Sequence, residues 1–427
     1  MRLLTSLSKA DYFSSAPPRL TIELPSKVDQ PTTRFVESFK WPPSRHDVDS
    51  NANQLTLHHR IQQYGLTPEE NSLRLMEAFW PANPSTSHVL ILSPQVQVSP
   101  IFFHYLKYTV LEYKYSKETA PDNLLSISLD LPTTFLNDSA PFTPPNSSII
   151  NNITSNFLWQ APNSNAALFF GDKWTELHSF ISHSQASRHI LPTPPTLNTK
   201  QISKTYPSWL EQFLSLARAR GYWTLYPNLD SDETLVTIHN DLYQPPEEYS
   251  NEINPNTRLA ETTDSAAEFA ADPAHHLSLH HTEIPLASAS LLNLFFPKST
   301  LPSVNDMTLL SWDGDMITRD DLELSAYDFS DVFKIEVGGC EGFGIGSRIQ
   351  GSADDLFCYD KSNKNGDGET QDDVEEATGN SASPQRDSLE SLVKKGHVVS
   401  SFAAYPPTAT VDGRVEETGL LVDSRVF

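Results

Sequence analysis

Four apolar residues in a row, Val89-Leu90-Ile91-Leu92, run into Ser93-Pro94. A strand with one wet face alternates; an unbroken apolar run is covered on both faces, as in the middle of an α/β sheet. The spacing therefore predicts a central strand. Ser99-Pro100 supplies a helix start, and Phe102 to Leu111 suits a largely buried helix. The connecting Ser93-Pro94-Gln95-Val96-Gln97 then falls at the strand's carboxyl end, where open α/β sheets bind ligands.

The chain before this strand alternates element types. Arg19 to Leu24 reads as a strand, Thr33 to Trp41 as a helix, and Gln54 to Ile61 as a second strand. Thr67-Pro68-Glu69-Glu70 opens a helix to Trp80, with N-cap, proline and acidic first turn. Such β-α-β-α order predicts an α/β fold: a mostly parallel sheet with helices on both faces. Leu124 to Leu129 is a further strand ending at Asp130. A polar, proline-containing loop follows, then strands at 157–160 and 166–170 joined by Pro162-Asn163-Ser164-Asn165. Helices are expected at Lys173 to Ser182 and from Tyr206 to Arg220, the latter stopped by Gly221. Trp223 to Pro227 and Leu235 to His239 read as strands.

Composition limits the partners. The net charge of −24 leaves no excess of cations for phosphate backbones, so nucleic acid is not an expected partner. Nine acidic residues against two lysines fall between Asp354 and Glu376, which makes this stretch an acidic segment of a tail. Hydrophobic residues make up 38% and prolines (32) outnumber glycines (16) two to one, a balance that predicts unfolded segments. No apolar run reaches the roughly 18 residues of a membrane span. Cys340 and Cys358 could pair in an oxidising lumen or remain two thiols. Sequons at Asn137, Asn146 and Asn152 cluster in the polar loop, a feature of secreted surfaces.

Ser-Leu-Ser-Lys-Ala-Asp-Tyr (6–12), Ala-Phe-Trp-Pro (78–81) and the order of elements over residues 1–250 resemble fungal members of glycosyltransferase family 2. The resemblance implies a GT-A fold that moves a sugar from a nucleotide-sugar donor to a glycan, lipid or protein acceptor, usually with Mn²⁺ or Mg²⁺. It also implies a secretory-pathway setting and a first strand ahead of the opening helix, so Met1 falls inside that helix and the strand is expected to be missing. The chain departs from the family at its acidic motif: Ser93, Gln95 and Gln97 stand where carboxylates usually end the central strand. Hard cations need anionic oxygens to offset dehydration, which leaves three readings: metal-independent transfer, metal held from elsewhere, or lost catalysis.

Matched to the family, APNSNAALFFGDKW (161–174) makes Asp172 the candidate base, with a helix N-cap as its plain alternative. Trp174 faces the acceptor or packs on the sheet. His239, at a late strand end, is the candidate assisting residue or a structural histidine, and Asp241 lies beside it on the acceptor side. Ser93, Gln95 and Gln97 would line the donor diphosphate as neutral groups. Arg218 and Arg220 would contact it, or form a solvated helix end.

Beyond Tyr249 the composition shifts. The expected organisation is a transferase-like domain over 1–249, a linker over 250–283 and a small helical lobe over 284–343, with helices at Ser288 to Phe296 and Arg319 to Val337. A disordered acidic segment over 344–395 and a tail over 396–427 complete it. His276 and His280 sit one helical turn apart but lack the glutamate of metalloprotease chemistry. Asp313-Gly314-Asp315 reads as a hairpin turn, and Lys361 to Asp372 lacks a calcium loop's first ligand. No Gly-x-Ser-x-Gly or His-Glu-x-x-His occurs. The rival to a transferase is a GT-A-like binding or scaffolding protein without catalysis.

Overall fold

A computed structural model describes residues 1–12, 17–43, 54–60, 66–116, 120–136, 140–145, 156–188, 191, 193–197, 200, 203–229, 234–239, 301–341, 348–349 and 351–358, with the backbone of 417–422. Its strands are β1 (Arg19–Leu24), β2 (Leu55–His59), β3 (Ser87–Leu92), β4 (Val96–Val98), β5 (Leu124–Ser128), β6 (Asn156–Trp159), β7 (Ala166–Phe169), β8 (Trp223–Pro227), β9 (Val236–Ile238), β10 (Leu309–Leu310) and β11 (Glu417–Val422). Its α-helices are α1 (Arg2–Lys9), α2 (Gln30–Ser38), α3 (Pro68–Leu73), α4 (Phe102–Tyr113), α5 (Gly171–Ser187), α6 (Trp209–Arg220) and α7 (Arg319–Glu336).

The fold is α/β, built on a six-strand block ordered β10-β6-β8-β5-β7-β3. Three of its five pairings, β6 with β8, β5 with β7 and β7 with β3, are antiparallel; β10 with β6 and β5 with β8 are parallel. Within this block the expected mostly parallel sheet is corrected to a mixed, mostly antiparallel one. Parallel neighbours need a crossover, usually helical, and no helix is seen among the described residues between β5 and β7. β6 and β7 are not a hairpin either. β7 inserts between β3 and β5, while β6 pairs with β8 and β10. On its other edge β3 pairs in parallel with β11, followed by β1 and β2.

β3 owes its unbroken apolar run to two covered faces. Leu90 and Leu92 join the core formed with Phe102, Tyr105 and Leu106 of α4, whereas Val89 and Ile91 pack with Trp174 of α5 and Trp209 and Phe213 of α6. All four are at most 2% exposed, and burying each stabilises the fold by about 1.5–3 kcal/mol before entropy is counted. α4 starts three residues after Ser99, because Ser99 caps a preceding turn: its carbonyl accepts from Phe102 N at 3.2 Å. α6 begins with a reciprocal box between Ser208 and Glu211 and ends at Gly221, whose φ of 65° suits only a residue free of Cβ strain. Asp313-Gly314-Asp315 forms a turn closed by Ser311 N on Asp315 O at 2.8 Å. Cys340 and Cys358 form a disulfide.

No helix among the described residues is long and apolar enough to cross a membrane. The three sequons, Asp241, the 250–283 stretch, His276 and His280, the 288–296 helix and residues 361–416 lie outside the described residues.

Candidate functional site

β3 and β5 both run antiparallel to the strand between them, so their carboxyl ends open on one edge of the sheet, beside the start of β7. There Ser93 N donates to Asn165 O at 2.7 Å and Leu129 N to Ala166 O at 2.9 Å, which ties the two strand ends to the same loop. Asp130 follows directly and is only 5% exposed. Its Oδ2 accepts from Asn163 Nδ2 at 3.2 Å and Asn165 Nδ2 at 3.4 Å. Asn163 also donates to Ser128 Oγ at 2.8 Å, and that hydroxyl donates to Asp130 O at 2.7 Å. Burial pushes the Asp130 carboxyl up to about 7, against the opposing pull of the Asn163 and Asn165 amides and the Leu131 backbone.

Ser93 adds an unmet demand to this edge. Its hydroxyl is buried, and Oγ has no hydrogen-bond partner among the described residues. Buried polar atoms in native proteins are nearly always satisfied by protein, water or ligand.

The next residues turn into a two-stranded ribbon, β4 with β9, paired Val96 to Ile238 and Val98 to Val236. The ribbon brings Gln95, Gln97 and His239 together: His239 N donates to Gln95 O at 3.0 Å, and His239 Nε2 lies 3.0 Å from Gln97 Oε1. Arg2 Nη1 of α1 meets His239 Nδ1 at 2.6 Å. An arginine only donates, so Nδ1 accepts, and Nε2 carries the proton given to Gln97.

The other proposed residues lie elsewhere. Gly171 N donates to His88 Nδ1 at 3.1 Å, which places Asp172 at the amino end of β3. Five residues separate His88 from Ser93, about 16 Å of strand at ~3.3 Å each, so Asp172 and Gln95 occupy opposite edges. Asp172 is the second residue of α5, with Phe170 in the N-cap position, so it is not the cap. Its Oδ1 accepts from Lys114 Nζ at 2.8 Å, and Lys173 Nζ lies 3.7 Å from Oδ2. Burial raises its carboxyl, but the two lysines outweigh this and hold it below the usual range. Trp174 is fully buried on the sheet, donating to Phe79 O at 3.0 Å.

Neither arginine reaches the carboxyl edge of β3 through any contact seen. Arg218 stacks between Trp312 and Phe329, 4.3 and 4.0 Å from their ring centres. Burial pushes its guanidinium down to about 10, with Asp313 opposing. Arg220 is buried and paired: Nε donates to Glu176 Oε1 at 2.7 Å, and its two Nη atoms clasp Asp355 at 2.8 and 2.6 Å. Both helix-end arginines thus fasten α6 to its neighbours.

The donor set does not suit a hard cation. It offers two amides, hydroxyls and one buried carboxylate already engaged by amides, and no cluster of three or more His, Cys, Asp or Glu is found among the described residues. Asn163, Asn165, Ser128 and Arg2 were not singled out by the sequence. The Pro162 to Asn165 stretch reads as a plain connector, though two asparagines facing an aspartate at a strand end were a usable signal.

The sequence model of one protein family, described as the SPBC1E8.03c C-terminal domain, matches residues 1–189, under half of the chain. The match covers Ser93, Gln95, Gln97, Asp130, Asn163 and Asn165 and stops short of His239. No curated protein matches the chain.

Proposed function

We propose that the carboxyl edge of β3 and β5 holds a nucleotide sugar through neutral donors, and that the chain is a glycosyltransferase-like protein. The observation that carries this reading is Asp130: a buried carboxylate held by Asn163 and Asn165 at the carboxyl edge of β3 and β5, whose proton affinity burial raises to near neutrality, as a general base requires. Gln95, Gln97 and the unpartnered Ser93 hydroxyl offer the neutral hydrogen-bonding groups that sugar hydroxyls and phosphate oxygens take. Asp130 takes the base role first expected of Asp172, whose pairing with two lysines removes its basicity. The residues do not fit a metal, so no step runs through one; Arg2 beside His239 supplies positive charge at this edge for a departing diphosphate. The Cys340–Cys358 bridge suits an oxidising secretory compartment.

A second reading has its own support. Asp130 is nearly closed off and its Oδ2 serves two amides, which favours a non-catalytic binding protein in which this cluster only shapes the edge. The test is release of nucleoside diphosphate from UDP- and GDP-sugars, followed against pH. Transfer predicts a rate that rises through pH ~7 and falls at least about a hundredfold in Asp130→Asn. Binding of the sugar nucleotide with no release in either protein supports the non-catalytic reading, and no binding by either removes both.

A further inference from the structure

α7 buries Leu322, Ala326, Ser330 and Phe333 against the core. Its opposite side is apolar too: Leu324 is 62% exposed, Tyr327 59%, Val332 49% and Ile335 43%. Half of the exposed large hydrophobic residues among those described fall between Met316 and Ile335. Single exposed apolar residues are ordinary, but a concentration on one face marks a binding surface. At ~100° per residue, Leu324 and Ile335 lie about 20° apart around the helix, with Tyr327 and Val332 about 60° and 80° to either side of Leu324. Leu324 to Ile335 covers about 16 Å of helix axis, or about three turns.

The charges on the same side narrow the occupant. Asp320, Asp321 and Asp328 are exposed and fall within about 60° of Leu324, so aspartates are interleaved with the apolar side chains along this face. α7 holds six acidic residues against two basic ones, and both bases are engaged. The Arg319 guanidinium donates to Val304 O and lies 5.2 Å from the centre of the Trp223 ring, and Lys334 Nζ sits 3.6 Å from Asp331 Oδ1. A second copy would bring the same aspartates face to face, and anionic lipid or nucleic acid would be repelled as well. A cationic helix matches both features. Its apolar residues, at intervals of three and four, cover Leu324, Tyr327 and Ile335, and lysines or arginines beside them reach the aspartates.

We propose that the outer face of α7 is a docking surface for a cationic amphipathic helix of a partner protein. The docking is independent of the sugar-nucleotide reading, since it involves neither the carboxyl edge of β3 nor Asp130.

The test titrates a fluorescent peptide with the full chain and follows its anisotropy. The probe is a helix of leucine and lysine, about five turns long, with leucine at every third or fourth position. Two companion peptides of the same length separate the contributions, one with glutamate in place of lysine and one with serine in place of leucine. The expected result is binding of the leucine–lysine peptide at least about tenfold tighter than of either companion, and a loss of about tenfold or more both in the double variant Leu324→Ala, Tyr327→Ala and in Asp328→Lys. All three positions are exposed, so the variants keep the core, and their far-ultraviolet circular dichroism should match the parent's. Affinity unchanged in either variant overturns the proposal. Equal binding of the serine–lysine peptide does the same, because charge attraction alone would then account for it. Absence of binding by the parent, or a parent dimer by light scattering that the double variant dissociates, gives the face to another occupant and also overturns it.

Discussion

Asp130 and His88 sit at opposite edges of the sheet and respond to pH in opposite senses. Asp130 titrates at about 7 when folded, above an ordinary aspartate, so its contribution to stability is whole below pH ~4 and is lost as pH rises through 7. His88 is pushed down to about 4 by burial and then by the Lys114 charge, so its contribution is whole above pH ~6.5 and is lost as pH falls toward 4. Between pH 4 and 7 the two partly cancel. Urea titrations should show Asp130→Asn gaining stability relative to the parent as pH rises from 5 to 8, and His88→Gln gaining relative to the parent as pH falls from 6.5 to 4.5. Parallel pH curves for the parent and Asp130→Asn would show that the carboxyl titrates normally. Asp130 and the glutamines were legible as strand-end residues because strand ends follow from apolar runs. The asparagines that hold Asp130 were not, because their partner lies more than thirty residues away.

Elements were legible where the local signal and the core agreed. β1 has the bounds its alternation gives, and α6 has both its caps written in Ser208, Glu211 and Gly221. α5 shows the failure: Asp172 looks like a cap, but the helix starts earlier because Gly171 must lie tight against the β3 strand. A Cβ at Gly171 would come 2.0 Å from Ser87 O and 2.7 Å from Pro84 O. α6 is fastened by Arg220, which joins Glu176 of α5 to Asp355 of the segment closed by the disulfide. Removing the guanidinium takes the cation from two buried carboxylates, Glu176 and Asp355, so Arg220→Ala should cost roughly 3–5 kcal/mol by urea unfolding. A cost below ~1 kcal/mol would mark the pairs as exposed in solution. Ser208→Ala, which removes only a cap, should cost about 1 kcal/mol in the same assay.

At the scale of the molecule, the early β-α-β order correctly pointed to an α/β fold, and β1 and β2 do pair in parallel, but it said nothing of strand direction in the block around β7. Direction depends on where β7 inserts, and insertion is a long-range choice made by packing, not by the period of any one segment. The disulfide is likewise a product of the whole fold: Cys340 follows α7 and Cys358 follows the strap that carries Asp355. Changing Cys358 to serine should lower stability by about 2–4 kcal/mol, without altering the carboxyl edge of β3. That edge is where the functional account stands or falls. The direct measurement is calorimetric titration of the full chain with UDP- and GDP-sugars, with Mn²⁺ and again with chelator, in the parent and in Gln97→Ala. The account predicts the same affinity with and without metal and a weakening of about tenfold or more in Gln97→Ala. Binding that requires Mn²⁺, or that is untouched by Gln97→Ala, would contradict it.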